Sequence, residues 1–307
     1  MVLGLVLNKT ANCYAPVRTS AELSGNAVRA TRVMPPPDLA AVVMDFWQYE
    51  VDPALDYIPI QVFPSGCVVL RFNIRPDHVE SVLYGPSLRN SMKGVFYHDW
   101  SIFGIALRPE RAYQLLGLSL YELRNIRIHL DCFWPQPVRV LEQQLQETTN
   151  FGQRITLMVN FLRQVLRTDV SPKAEFLNAF HDIVRLAPSA EDIGYIAKRN
   201  GTSSRNLRRS FYKYLGIGPK QAERLFRVQN SMSEICQKPN SKLALVAQTN
   251  GFSDQAHFSR EFSSLTGYTP GRFAALIGSM HEKSLPAWNT TDTSWRFKRS
   301  PKIMRFE

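Results

Sequence analysis

At 307 residues, with 44% hydrophobic and 21% charged residues, the chain is too long for a disulfide mini-scaffold and too apolar for wholesale disorder. Its formal charge of +11 is unevenly placed: residues 1–187 hold 18 Lys+Arg against 17 Asp+Glu, residues 188–280 hold 13 against 6, and residues 281–307 hold 6 against 3, so the segments sum as +1, +7 and +3. A basic last third suggests a polyanionic partner there and an uncharged or small one for the rest, although a solvated basic face has the same composition.

Cys13, Cys67, Cys132 and Cys236 lie far apart with no C-x-x-C, which leaves no zinc-cluster or redox motif and makes reduced thiols the expectation. Residues 1–7 are apolar but lack the basic flank and the length of a signal peptide, and no stretch approaches the ~20 apolar residues of a membrane span. A cytoplasmic protein without membrane contact is expected.

Residues 1–34 read as a mixed, polar extension. Pro35-Pro36-Pro37 then gives a rigid entry to residues 38–49, where Leu39, Val42, Val43, Phe46 and Trp47 recur at helical spacing and predict an amphipathic helix starting at Asp38. Residues 58–63, 67–74 after the Ser65-Gly66 turn, 94–97 and 101–107 are rich in Val, Ile and Phe and predict a sheet of several short strands. From Pro109 the period becomes helical: residues 137–148, then Ile155, Val159, Leu162 and Leu166, then Phe176, Leu177, Phe180, Ile183 and Val184. The Ala187-Pro188-Ser189 step interrupts that pattern, because the residue before proline avoids the helical region. The domain boundary is placed there, separating a domain over 35–187 from a helical one over 188–280 and a basic tail over 281–307.

The helical domain repeats itself. Ile193, Ala197, Asn200, Gly201 and Ser203 are echoed 50 residues later by Leu243, Ala247, Asn250, Gly251 and Ser253. After one inserted residue, Leu207, Arg209, Phe211, Gly216 and Pro219 pair with Phe258, Arg260, Phe262, Gly267 and Pro270. Each unit reads as helix, short turn, helix: the alanine lets two backbones approach, and Gly201 or Gly251 supplies positive φ in the turn. The second helix starts near Ser203 or Asp254, both good N-caps, and stops at Gly216 or Gly267. Its polar face carries Ser204, Arg205, Arg208, Arg209 and Lys213 in the first unit, and Gln255, His257 and Arg260 in the second.

Such faces suit the major groove, where Arg bonds bidentately to guanine and Gln to adenine while Lys and Arg neutralise phosphates. A plain helical hairpin would present a similar charged face, but two copies on a basic background favour a duplicated groove reader. Residues 219–236 predict one helix with Leu225, Val228, Met232 and Ile235 as its stripe. It would hold the units at fixed spacing, and readers entering successive grooves on one face sit about 34 Å apart.

Residues 191–275 resemble the DNA-binding domain of AraC/XylS-type transcription regulators. The resemblance is carried by Asn250-Gly251-Phe252-Ser253-Asp254-Gln255-Ala256-His257-Phe258-Ser259-Arg260-Glu261-Phe262 with Leu265-Thr266-Gly267-Tyr268-Thr269-Pro270, by Gly201-Thr202-Ser203-Ser204-Arg205-Asn206-Leu207-Arg208-Arg209-Ser210-Phe211, and by Arg227. Asn200 and Asn250 depart from a turn position that is often apolar, and Ala222 from one that is often aromatic. Either would loosen packing around the linker helix. The resemblance implies that the second helix of each unit lies in the groove, with contacts from Arg205, Arg208, Arg209, Gln255, His257 and Arg260. It also implies double-stranded promoter DNA and RNA polymerase as partners, and activation as the commoner outcome.

Pro36-Pro37-Asp38-Leu39, Phe63-Pro64-Ser65-Gly66-Cys67 and Phe103-Gly104-Ile105-Ala106-Leu107-Arg108-Pro109 look like an uncharacterised sensor-type domain that precedes this module in some relatives. That implies a small-molecule or protein signal, or homodimerisation, for residues 35–187. The expected fold class is α+β: an N-terminal mixed β-sheet domain with flanking helices, then an all-α domain of two helix-turn-helix units joined by a linker helix.

Enzyme readings find little support. The six histidines, His78, His98, His129, His181, His257 and His281, show no ligand spacing. Ser65-Gly66-Cys67 lacks the frame of a nucleophile elbow, and no nucleotide-binding loop is present. No metal or cofactor is expected; an enzyme or an architectural protein tethered to nucleic acid is the alternative to a regulator. Trp47, Phe72, Trp100 and Phe103, with Trp134, are candidates to line an effector pocket, and core packing accounts for the same residues more simply. In the tail, Trp288, Trp295, Arg296, Lys298 and Arg299 form either a basic extension or an auxiliary phosphate contact.

Overall fold

A computed structural model describes residues 28–88, 92–167, 169–185, 192–282 and 303–305. The N-terminal part contains β1 (Val28–Val33), β2 (Val43–Val51), β3 (Tyr57–Val62), β4 (Val69–Ile74), β5 (Val79–Tyr84), β6 (Met92–Tyr97), β7 (Ser101–Leu107), α1 (Tyr113–Leu116), β8 (Ile126–His129), α2 (Pro135–Gln146) and α3 (Phe151–Val165). The helical part contains α4 (Ala174–Arg185), α5 (Ile193–Arg199), α6 (Ser204–Leu215), α7 (Pro219–Gln237), α8 (Leu243–Thr249), α9 (Gln255–Thr266) and α10 (Pro270–Glu282), followed by β9 (Ile303–Arg305).

Seven strands form one sheet in the order β1-β2-β7-β4-β5-β8-β9, and β3 pairs with β6 in a separate ribbon. Every ladder is antiparallel. The ribbon covers one face of the sheet, where Ile58, Ile60 and Phe96 pack with Trp47, Tyr49 and Ile102. Helices α2 and α3 cover the other face, where Leu141, Leu145, Met158 and Phe161 pack with Phe46, Leu70, Phe72, Phe103 and Ile105. The chain is thus α+β, a layered antiparallel sheet followed by a helical domain.

The helix expected over residues 38–49 is absent: residues 38–42 turn, and 43–51 form β2. This strand lies between β1 and β7 and is buried along nearly its whole length. A strand covered on both faces needs no alternation of polar and apolar residues, so its run of Val, Met, Phe, Trp and Tyr also fits a helical period. β1 lies inside the segment read as an extension, and β5 and β8 were not anticipated. β5 carries Glu80 and Ser81 mid-strand, and β8 has only four residues.

The two parts share a core. Phe63, at the end of β3, meets Phe273 edge-on at 5.7 Å and Tyr268 at 6.3 Å. Met44, Cys67 and Ala106 are buried in the same cluster as Phe211, Leu225 and Phe226. Gln229 Nε2 donates to the Pro64 carbonyl at 3.0 Å. A Cβ on Gly66 would lie 3.1 Å from Phe226 Cζ, so the turn between β3 and β4 sits tightly against α7. Truncating the plug tests this joint. Phe63→Ala is expected to cost about 3–5 kcal/mol and to split the thermal unfolding of the full chain into two calorimetric transitions, whereas one unshifted transition would contradict a shared core.

Candidate nucleic-acid interface

Each repeat unit contains three helices. In the first, Phe176, Ala179, Phe180, Ile183 and Val184 of α4 enter the same core as Leu207 and Phe211 of α6. The second repeats this arrangement with α7, α8 and α9. A boundary at the Ala187-Pro188 step would part α4 from the helices it packs on; residues 186–191 lie outside the described residues.

The turns follow their residue chemistry. Gly201 and Gly251 have φ of 68° and 71°, in the left-handed region that the tight turn demands. Ser203 caps α6 by accepting from the Asn206 N–H at 3.2 Å. Asp254 caps α9 by accepting from the His257 N–H at 2.7 Å. That bond, with the Ser253 hydroxyl, holds the Asp254 carboxyl below its ordinary range. Such a cap is fully formed above the usual carboxylate pKa and is lost as the pH falls through the depressed value. Gly216 and Gly267 close the two helices with φ of 75° and 78°.

The two turn asparagines tighten the packing they were expected to loosen. Asn200 Nδ2 donates to Asp182 of α4 at 2.7 Å and to the Ile196 carbonyl at 2.9 Å. Asn250 Nδ2 donates to Glu234 of α7 at 2.7 Å and to the Val246 carbonyl at 2.8 Å. In each unit one amide therefore ties the turn to a carboxylate on the preceding helix, a stronger bond than a neutral pair makes. Ala222 is fully buried in the common core, with Phe226 one turn further along α7 meeting Phe180 at 5.5 Å.

The linker helix α7 has 19 residues, a length of about 28 Å. Arg224 pairs with Glu261 of α9 and donates to the Ser264 hydroxyl at 2.6 Å. Arg227 pairs with Glu223 on its own helix, and its guanidinium lies 5.3 Å from the Phe252 ring centroid. Within the second unit α7 meets α9 through these charged contacts as well as through the apolar core, whereas the first unit meets α7 through apolar contact.

Arg205, Arg208, Arg209, Lys213, Gln255 and Arg260 are exposed, and Ser204 is partly so. Arg209 and Arg260 stand at equivalent positions, 51 residues apart, each five residues into its helix. His257 is engaged locally: its ring lies edge-on to Phe252 at 5.6 Å, with Nδ1 3.1 Å from the Ser253 hydroxyl. The helices differ in charge, since α6 carries Arg205, Arg208, Arg209 and Lys213 with no acid, while α9 sets Arg260 against Glu261. Beside α6 a cleft of about 560 Å³ is lined by Lys173, Lys198, Arg209 and Lys213 among others. Lys173 and Lys198 lie outside the repeated recognition helices, so the repeat gave no signal for them.

The four aromatic residues offered as an effector pocket are not brought together. Trp47 packs under the β3–β6 ribbon with Trp100, whereas Phe72 and Phe103 pack on the opposite face at 6.1 Å from one another. Trp47 aligns with Gly104, the neighbour of Phe103 on β7, and successive strand residues point to opposite faces. Trp288, Trp295, Arg296, Lys298 and Arg299 lie outside the described residues, as does most of the expected tail.

Residues 196–275 match a family described as a helix-turn-helix domain. The C-terminal part thus contains a helix-turn-helix domain. Helix-turn-helix units of this kind are a recurrent DNA-binding motif. Residues 31–129, spanning the sheet from β1 to β8, match a domain of unknown function, DUF6597.

Among solved structures, the chain is similar to the C-terminal domain of AraT, a response regulator from Geobacillus stearothermophilus, at 17% identity over 40% of this chain and 96% of that one, with a TM-score of 0.33. It is similar to a transcriptional regulator with an AraC-type DNA-binding domain from Chromobacterium violaceum at 24% identity, over 34% and 96%, with a TM-score of 0.30. It is also similar to ToxT from Vibrio cholerae O395 at 10% identity, over 82% and 98%, with a TM-score of 0.41. No curated protein matches the chain. Among the described residues, no helix is long and apolar enough to cross a membrane, and no group of three or more His, Cys, Asp or Glu is placed to hold a metal ion.

The asparagine ties of the helix-turn-helix domain have a measurable worth. Asn250→Ala leaves Glu234 without its amide partner and is expected to cost about 1–3 kcal/mol of stability in denaturant unfolding. A change below about 0.5 kcal/mol, the range of an inert surface substitution, would show that the tie contributes nothing.

Proposed function

We infer that the chain is a sequence-specific regulator that activates promoters, with α6 and α9 reading successive major grooves and the sheet domain receiving the signal. The observation that carries this reading is the equivalence of the two recognition helices. Each is capped by a polar side chain, closed by a left-handed glycine and mounted on α7, and each exposes an arginine at the same position. A single hairpin with charged faces would need no second copy in matched register.

Ser204, Arg205, Arg208, Arg209, Lys213, Gln255, His257 and Arg260 form the proposed contact set. Arg209 and Arg260 have the geometry for bidentate readout of guanine, and the other cations of α6 neutralise phosphates. His257 acts through the Ser253-Asp254 turn. RNA polymerase is the proposed partner in activation, and the cytoplasm the proposed compartment. A small-molecule or protein signal, or a second copy of the chain, acts on the N-terminal domain. Such a signal shifts how that domain holds α6 and α7 only if it binds the two arrangements with different affinity. Of the proposed domains, the sensor would span 35–173 and the DNA-binding domain 174–280, so that α4 stays with its core.

Selection of bound fragments from random duplex by the full chain is expected to return one site of two half-sites. On that site Arg209→Ala and Arg260→Ala should each cost about 1–3 kcal/mol of binding and relax preference at one half-site only. Unchanged affinity in both variants would contradict the groove assignment.

A further inference from the structure

We propose that the sheet domain itself touches DNA: Arg124, with Tyr121, takes a backbone phosphate beside the first recognition helix. The inference rests on the groove-reading role of α6 and extends the contact surface across the domain joint.

The segment after α1 is docked on the C-terminal end of α6. The Leu120 N–H donates to the Lys213 carbonyl at 3.0 Å, and Tyr121 meets Tyr212 edge-on at 5.8 Å. A Cβ on Gly216 would lie 2.6 Å from the Leu120 carbonyl oxygen, so the approach needs glycine for space as well as for its φ of 75°. This docking leaves an open groove of about 560 Å³ whose lining includes Tyr121 and Arg124 from the first domain, and Arg209, Tyr212 and Lys213 from the second.

Three cations from two domains therefore converge, and among the described residues none of them pairs with a carboxylate. Arg124 lies over the Tyr121 ring at 4.8 Å and Lys213 over Tyr113 at 4.9 Å, so aromatic faces hold both cations in place. Cations gathered without an acid repel one another, and an anion in the groove relieves that repulsion. Arg209 belongs both to this groove and to the exposed face of α6. A helix that enters the major groove by its N-terminal residues leaves its far end near the bordering phosphates. Among the described residues the second unit has no such extension: a Cβ on Gly267, the equivalent of Gly216, would meet nothing within 4 Å.

The test is the salt dependence of duplex binding by the full chain, compared among wild type, Arg124→Ala, Arg124→Lys, Arg205→Ala and, as a control on the exposed face of α2, Arg139→Ala. Loss of one phosphate contact should reduce the slope of log K against log salt by about 0.9, and weaken binding about eightfold at 0.1 M salt. Arg124→Lys should restore most of that slope, which a merely structural role would not require, and Arg139→Ala should behave as wild type. If Arg124→Ala keeps the wild-type slope while Arg205→Ala lowers it, the sheet domain does not touch DNA and the groove reading stands. If the wild-type chain shows no salt-dependent binding, both fall.

Discussion

The placement of α6 and α9 depends on how α7 is buried. Phe226 meets Phe180 of the first unit and underlies Gly66 of the sheet domain, and Gln229 from the same helix holds the Pro64 carbonyl. Arg224 reaches Glu261 and Ser264 in the second unit. One helix is thus the floor of three bodies, and its position fixes both recognition helices relative to each other and to the sheet. A packed interior deforms little, and the sheet domain, α6 and α7 share one such interior.

The two units use that floor differently. Their turns are built alike, down to the asparagine that reaches back to Asp182 or Glu234. Their faces are not alike: α6 is cationic throughout and joined to the sheet domain, whereas α9 is electrically balanced and its far end is open. Charge governs affinity and salt response, and directed polar contacts govern base preference.

The helical domain was legible in the sequence because its signals are local. Glycines at four turn and stop positions, N-caps at Ser203 and Asp254, and a register of 50 and then 51 residues each have one structural meaning. The sheet was legible only where strands alternate or are bounded by turns. β2 was misread because burial on both faces removes the alternation that marks a strand, and the aromatic set Trp47, Phe72, Trp100 and Phe103 was misjoined because composition does not tell one sheet face from the other. The place of α4 was hidden for a related reason, since an amphipathic stripe shows that a helix is covered without showing by what. The expectation that Asn200 and Asn250 loosen packing around the linker helix fails because their partners, Asp182 and Glu234, come from preceding helices 18 and 16 residues away. Arg124 gave no signal, because Arg209, Tyr212 and Lys213, with which it lines the groove, are distant in sequence.

The central claim is that two readers are held at one spacing by a rigid helix, and the direct measurement is affinity for the selected site after insertion of five base pairs between its half-sites. Half a helical turn rotates one half-site to the far side of the duplex. The account predicts that binding to this duplex falls to that of a one-half-site fragment. Retention of full affinity, with both half-sites still protected from cleavage, would contradict it.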